Sequence, residues 1–260
     1  YRMSQKVAFV TGSTSGIGLA IAKSLAKTGC HLAINGFGEP SEIKAICETI
    51  EKENGVDVFY APADVTNFES LDNAIQTIIK RFGSLDILVN NAGIQHVASV
   101  EHFSLEKWDQ VISTNLTGVF YGIRAVLPSM KSKNFGRIIN IASVHGLVAS
   151  VDKAAYVAAK HGVIGLTKVT ALENAKLNIT CNAICPGWVL TPLVQKQIEA
   201  KMAENKIGFE AATDILLEKQ PNRRFTSPQE IGDMVVYLAS ATSSSITGSV
   251  FTIDGGWTAQ

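Results

Sequence analysis

Short runs rich in Val and Ile recur along the chain at 7–10 (VAFV), 31–34 (HLAI), 57–64, 85–93, 137–143, 179–187 and 249–254. Between them lie segments, such as 17–28, 68–82, 105–130 and 154–175, whose apolar residues fall at spacings of three and four. Apolar runs of that length read as strands buried on both faces, and strands that alternate with helices pair in parallel through right-handed crossovers. The expected fold class is therefore α/β: one doubly wound domain over residues 1–260, with a mostly parallel sheet and helices on both faces. No linker, repeat or low-complexity tract divides the chain, and 260 residues, 46% of them hydrophobic, are enough for one large core.

The alternation fails once. Residues 188–225 show no strand pattern, only a charged helical stretch (EAKMAENKIGFEAATDILLEKQ) that follows directly on a strand end. Ligands of doubly wound sheets bind at the carboxyl edge of the strands, so this insertion is expected to be a helical lid over a substrate; a plain surface hairpin is the other reading.

Charge excludes several classes of partner. Lys plus Arg and Asp plus Glu number 23 each, so no excess field favours nucleic acid or an anionic membrane. Cys30, Cys47, Cys181 and Cys185 have neither CxxC spacing nor accompanying histidine clusters, which reads as reduced thiols and no metal site. No apolar run approaches the roughly 18 residues of a membrane span, and no signal-peptide core precedes the first strand. The protein is expected to be soluble and cytoplasmic, with a small molecule as its partner.

After the first strand comes TGSTSGIG at 11–18, with Gly12, Gly16 and Gly18. Glycines let phosphate approach backbone amides at a helix start, where N–H groups and the helix dipole favour negative charge. The spacing is GxxxGxG rather than GxGxxG, and a glycine-rich turn without a ligand has the same composition. Near the end of the second strand, where a dinucleotide fold often carries an acid for ribose hydroxyls or a base for a 2′-phosphate, INGFGEP offers neither at the obvious place. No Lys or Arg occurs between His31 and Lys44, so NAD is expected over NADP.

Tyr156 and Lys160 stand four apart in a helical pattern, hence on one face, and Ser143 closes the preceding strand. An ammonium beside a phenol favours the phenolate, which can take the proton of an alcohol while hydride leaves the same carbon. With TGxxxGxG at 11–18, NNAG at 90–93, Asn115 and PG at 186–187, these residues resemble the short-chain dehydrogenase/reductase family over nearly the whole chain. The resemblance implies a Rossmann-like oxidoreductase in which Ser143 bonds the substrate oxygen and Tyr156 is the acid/base. Lys160 would hold the nicotinamide ribose and lower the tyrosine pKa, and Asn115 would hold a water linking Lys160 to solvent. It further implies cofactor contacts from Gly12, Ser13, Thr14, Ser15, Gly16, Ile17 and Gly18, and from Asp64 and Val65 at adenine. Asn91, Ala92 and Gly93 would lie along the cofactor, with Pro186, Gly187, Val189 and Thr191 about the nicotinamide. Phe37 would pack where the usual strand-two acid is missing. A homotetramer, packed through helices from the middle of the chain, is implied as well.

Around this set stand Gln95, His145, Lys153 and Gln197. Two cationic or potentially cationic groups and two amides suit a carboxylate, and Trp188 and Trp257 could wall a short carbon chain, so the expected substrate is a small hydroxy acid. Within the family the alternatives are a 3-oxoacyl-thioester reductase or a polyol dehydrogenase. Outside enzymes the alternative is an NAD-sensing binding protein, which has no need of the phenol and ammonium pair.

Overall fold

The computed structural model describes residues 2–259. Tyr1 and Gln260, the ends of the expected 1–260 domain, lie outside the described residues. Seven strands form a single sheet: β1 (Val7–Val10), β2 (His31–Ile34), β3 (Val58–Tyr60), β4 (Ile87–Asn90), β5 (Gly136–Ile141), β6 (Ile179–Pro186) and β7 (Val250–Ile253). Their order is β3-β2-β1-β4-β5-β6-β7 and every pairing is parallel. The chain winds outward from β1 to β3, then returns to the other side of β1 as β4. That reversal opens a crevice at the carboxyl ends of β1 and β4, the ligand position of doubly wound sheets.

Strand pleating divides the core between the two sheet faces. Ala8 and Val10 of β1 join one cluster, with Ile21, Leu25, Ile231 and Val235; Val7 and Phe9 join the other, with Leu71, Ile75, Val126 and Val163. The first face carries α1 (Gly16–Ala26), α2 (Pro40–Asn54) and α9 (Pro228–Ala239); the second carries α3 (Phe68–Phe82), α5 (Gly118–Lys133) and α6 (Ala154–Glu173). Helix α3 starts where the Asn67 side chain accepts the Ser70 N–H and stops at left-handed Gly83. Helix α9 opens with a reciprocal capping box between Ser227 and Glu230.

The observed elements differ from the sequence pattern in identifiable ways. The strand expected over 57–64 pairs only over Val58–Tyr60, because the chain meets Pro62 and then turns at Asp64, whose carboxylate accepts the Thr66 N–H. The strand expected over 85–93 ends at Asn90, since the next two N–H groups turn to the Thr11 hydroxyl. The helical pattern over 105–130 is split into α4 (Leu105–Ile112) and α5 by a π-helical turn, Ser113–Thr117. Helices α2 and α9 lie outside the patterns named from sequence. Both begin with proline in the first turn, a start signal that could have found them.

The 188–225 excursion is helical, comprising α7 (Pro192–Asn205), α8 (Phe209–Leu216) and a short turn at Leu217–Lys219. It has a small core of its own, Val194, Ile198 and Ala212, with Trp188, Met202, Leu216 and Phe225 packed against it. A single bridge, Val189 to Thr226, ties its two ends together. No helix among the described residues is long and apolar enough to cross a membrane.

Helices α1 and α9 approach closely. A Cβ built on Gly232 would lie 2.2 Å from Ser24 Oγ and 3.2 Å from the Ala20 carbonyl oxygen. Gly232→Ala should therefore destabilise the fold by about 1–3 kcal/mol through overpacking. Ser24→Ala in the same chain should recover part of the loss. Urea unfolding of the two single variants and the double variant checks this; additive losses would show that the clash is not what limits the site.

Candidate functional site

The crevice is held open and shaped by hydrogen bonds across the β1 and β4 ends. Thr11 Oγ1 accepts the N–H groups of Asn91 (3.0 Å) and Ala92 (3.1 Å), while Asn91 Nδ2 donates to the carbonyls of Thr11 (3.1 Å) and Gly12 (2.9 Å). Gly12 turns with φ +61°, and a Cβ on Gly18 would sit 2.1 Å from the Gly12 carbonyl oxygen. Glycine is thus required for α1 to start this close to the turn. Ser15 caps α1 without a side-chain hydrogen bond, so the first N–H groups of the helix face the crevice.

Where the second strand ends, the structure supplies a residue that the sequence reading passed over. Asn35 is buried; its Oδ1 accepts the Gly12 N–H (3.3 Å), and its Nδ2 donates to Ala61 and Ala63 (3.1 Å each). Its place at the carboxyl end of β2, where an acid is sought, is the signal that could have found it. The amide ties the glycine turn to the loop after β3.

Two adjoining cavities fill the crevice. The larger, about 890 Å³, is lined by Gly12, Thr14, Ser15, Gly16, Ile17, Gly18, Phe37, Asp64, Val65, Asn91, Ala92, Gly93 and Thr191 of the expected cofactor residues. The smaller, about 250 Å³, holds Tyr156, Lys160, Pro186, Gly187 and Val189 of that set. It also brings together all eight residues expected around a substrate: Gln95, Ser143, His145, Lys153, Tyr156, Trp188, Gln197 and Trp257. Ile17, Asn91, Gly93 and Thr191 line both cavities. Ser13 and Asn115 line neither. Ser13 is buried behind the turn, donating to the Val10 carbonyl (2.7 Å); the Asn115 amide spans the N–H and C=O of Ile94 (2.8 Å each). Phe37 stands at the rim with its ring 95% exposed.

The smaller cavity is assembled from six chain segments. Tyr156 and Lys160 project from α6, and Lys160 Nζ donates to the Ile141 carbonyl (2.8 Å), 5.6 Å from the Tyr156 ring centre. The Ala98 N–H donates to the Asp152 carbonyl (3.0 Å), pinning the Gln95 loop to the Lys153 loop. Lys153 Nζ lies 5.5 Å from the Trp188 ring centre, a cation–π contact, and Gln220 holds the Trp188 N–H (2.9 Å). The Asp254 carboxylate gathers the Gly256 and Thr258 N–H groups (3.1 and 2.9 Å) and so sets the last turn, from which Trp257 meets the His145 ring edge to face.

Burial sets the charge states. It lowers Lys160 to about 8, leaving it a cation at neutral pH. Burial also raises the Tyr156 phenol above its ordinary value, opposed by a hydrogen bond from Ser143. Desolvation is the larger of these two effects on the phenol. Burial, then the Lys153 charge, push His145 down to about 4, so it is neutral and not a second cation. Both its ring nitrogens meet serines, Nδ1 with Ser143 Oγ (3.3 Å) and Nε2 with Ser150 Oγ (2.9 Å). Lys153 is thus the one cationic member of the expected carboxylate set.

Residues 12–258 match the family model described as enoyl-(acyl carrier protein) reductase. The chain belongs to the short-chain dehydrogenase/reductase family. Among its relatives is a D-beta-hydroxybutyrate dehydrogenase of Cupriavidus necator, 51% identical over 99% of this chain and all of the relative. A protein of the same name from Rhizobium meliloti is 48% identical over 98% of this chain and 99% of the relative. Among solved structures, a variant of actinorhodin polyketide ketoreductase with NADPH superposes with a TM-score of 0.92 at 36% identity, covering 99% of this chain and all of that one. These matches identify an oxidoreductase of this family that uses a nucleotide cofactor, and the bare glycine turn with free helix N–H groups suits the phosphates of such a cofactor.

A neutral buried histidine has a measurable signature. The unfolded imidazole titrates at roughly 6.5. Between that pH and about 4 the unfolded chain takes up a proton that folded His145 refuses, so acid in this window favours unfolding. The His145 ring resonances in NMR spectra should accordingly show no titration down to about pH 5.5; a midpoint near the ordinary value would contradict the buried, neutral assignment.

Proposed function

We propose that the chain catalyses the NAD-dependent, reversible oxidation of (R)-3-hydroxybutyrate to acetoacetate. The observation that carries this reading is the small cavity itself: about 250 Å³, with Ser143, Tyr156 and Lys160 in its lining and a second lysine, Lys153, in the same lining as Gln95 and Gln197. Its volume lies below the roughly 300–1,000 Å³ of pockets for drug-sized ligands. A four-carbon acid suits it, and the relatives named D-beta-hydroxybutyrate dehydrogenase share about half their residues with the chain.

NAD, when bound, supplies the hydride acceptor. Ser143 donates a hydrogen bond to the substrate oxygen and Tyr156 exchanges its proton: the phenol protonates the forming alkoxide in reduction, and in oxidation the phenolate accepts the hydroxyl proton. Lys160, buried and cationic, stabilises that phenolate and holds the nicotinamide ribose. Asn115 supports the site through the Ile94 backbone, whose loop runs on to Gln95. Lys153 binds the carboxylate by a charge-assisted hydrogen bond, and Gln95, Gln197 and neutral His145 by neutral donors. Helix α7 brings Leu193, Val194 and Gln197 to the cavity, which supports a lid role for the 188–225 insertion.

The choice of NAD over NADP follows from charge. No Lys or Arg is among the described residues lining the larger cavity, whereas Asp64, Glu106 and Asp109 are, and carboxylates disfavour a 2′-phosphate. Exposed Phe120, Val169 and Leu172 on α5 and α6 support a homotetramer packed through these helices.

The initial rate of NADH formation with (R)-3-hydroxybutyrate, its (S)-isomer, its methyl ester and NADP tests the reading. Fast turnover is expected only for the free (R)-acid with NAD. Reduction of a 3-oxoacyl thioester or oxidation of a polyol, with none of the acid, would replace the substrate assignment. Tyr156→Phe should lower kcat by about a hundredfold or more while leaving NAD binding intact. Lys153→Ala should raise the KM for the acid by about tenfold or more with NAD affinity unchanged; an unaltered KM and kcat would remove Lys153 from the carboxylate set.

A further inference from the structure

Both main-chain polar groups of Trp188 are taken by one distant segment. The N–H donates to Gln220 Oε1 at 2.9 Å, and the carbonyl accepts the Thr226 N–H at 2.9 Å. Residues 220–226 are the stretch on which the helical insertion runs back toward α9. Gln220 is fully buried and spends the other half of its amide on the Arg224 carbonyl, so the side chain that holds Trp188 also closes this stretch on itself. A Cβ on Gly187 would lie 2.5 Å from Gln220 Oε1 and 3.0 Å from the Asp254 Cα. The amide thus has no slack between the end of β6 and the turn after β7.

The same stretch reaches a second indole. The Asn222 N–H donates to the Gly255 carbonyl at 3.1 Å, and a Cβ on Gly256 would touch the Pro221 ring at 3.5 Å. Gly255 and Gly256 lead directly into Trp257, which is itself buried. Trp188 and Trp257 both line the small cavity, and Gln220, Pro221 and Asn222, which support them, do not. An indole is rigid, and a close-packed wall of this kind yields only where its support yields.

On the hydroxy-acid reading of the site, we infer that Gln220 is a positioning residue for substrate size: by holding Trp188 it fixes the room that the cavity gives to the carbon chain, and so restricts turnover to a short acid. Gln220 touches no reacting atom. It acts through the main chain of Trp188, from outside the cavity whose width it sets.

The test is a chain-length series on the full enzyme with NAD: (R)-3-hydroxybutyrate, (R)-3-hydroxypentanoate and (R)-3-hydroxyhexanoate. One methylene in a close-fitting pocket is worth about tenfold or more in kcat/KM, so the wild type should lose about that factor at each step. Gln220→Met, which keeps the bulk and removes both hydrogen bonds, should narrow each step to about threefold or less with NAD affinity unchanged. Gln220→Glu, whose buried carboxyl stays protonated and can still accept from Trp188 and donate to Arg224, should keep the wild-type steps. A wild type without length preference overturns the inference. So does a Gln220→Met variant with unaltered steps, or one that loses activity on all three acids in equal proportion together with its melting temperature; so does a Gln220→Glu variant that behaves like Gln220→Met. Should the wild type oxidise none of the three, the functional reading fails by itself. The wall is then read without turnover, from calorimetric binding of butanoate, pentanoate and hexanoate to the NAD complex, where Gln220→Met should narrow the differences in the same way.

Discussion

The lashing of β1 to β4 governs the rest of the molecule. The two strands are paired neighbours, and the connections leaving their carboxyl ends run outward to opposite sides of the sheet, so beyond the ladder those ends need a tie of their own. Thr11 and Asn91 supply it by filling each other's backbone donors and acceptors across the seam. Gly12 and Gly18 allow α1 to begin immediately behind that lashing. The resulting crevice exposes helix N–H groups on one side and the 91–95 loop on the other, and both cavities inherit their shape from it. An unmade hydrogen bond at this seam would leave buried polar groups unpaired, a cost of roughly 1–3 kcal/mol for each group.

The electrostatics of the smaller cavity show how far burial can override neighbours. Four titratable groups there move in the direction that penalises charge: Tyr156 upward, Lys160, Lys153 and His145 downward. Lys160 stays cationic at neutral pH because it starts high and falls only to about 8, while His145 starts near 6.5, falls to about 4 and is neutral. The site therefore concentrates its positive charge at two points, one toward the cofactor side and one, Lys153, toward the far wall. That separation suits the proposed substrate, which carries one carboxylate and one hydroxyl.

Much of this was legible in the sequence because two periodicities are nearly free of tertiary influence. Buried parallel strands read as Val and Ile runs, and a tyrosine and lysine four apart in a helix must share a face; the parallel sheet and the Tyr156–Lys160 pair follow directly. Element ends were harder, since side chains set them: Asp64 turns the chain after β3, and Thr11 captures the N–H groups after β4. Charge states were not legible, because desolvation depends on how many chain segments converge, and no spacing rule reports that His145 lies beneath Trp257. Asn35 escaped notice because it acts through backbone atoms distant in sequence, with no motif around it.

The helical hairpin of α7 and α8 has a core separate from both faces of the sheet, yet it lends Leu193, Val194 and Gln197 to the wall of the reactive cavity. The groups proposed to exchange a proton and those proposed to admit the substrate are thus stabilised by different sets of apolar contacts. Substitutions inside the hairpin can reshape the mouth without loosening the seam, the tyrosine or the lysine. In evolutionary terms the hairpin is an exchangeable part: a lineage can explore new substrates there while its catalytic apparatus stays under unchanged mechanical support.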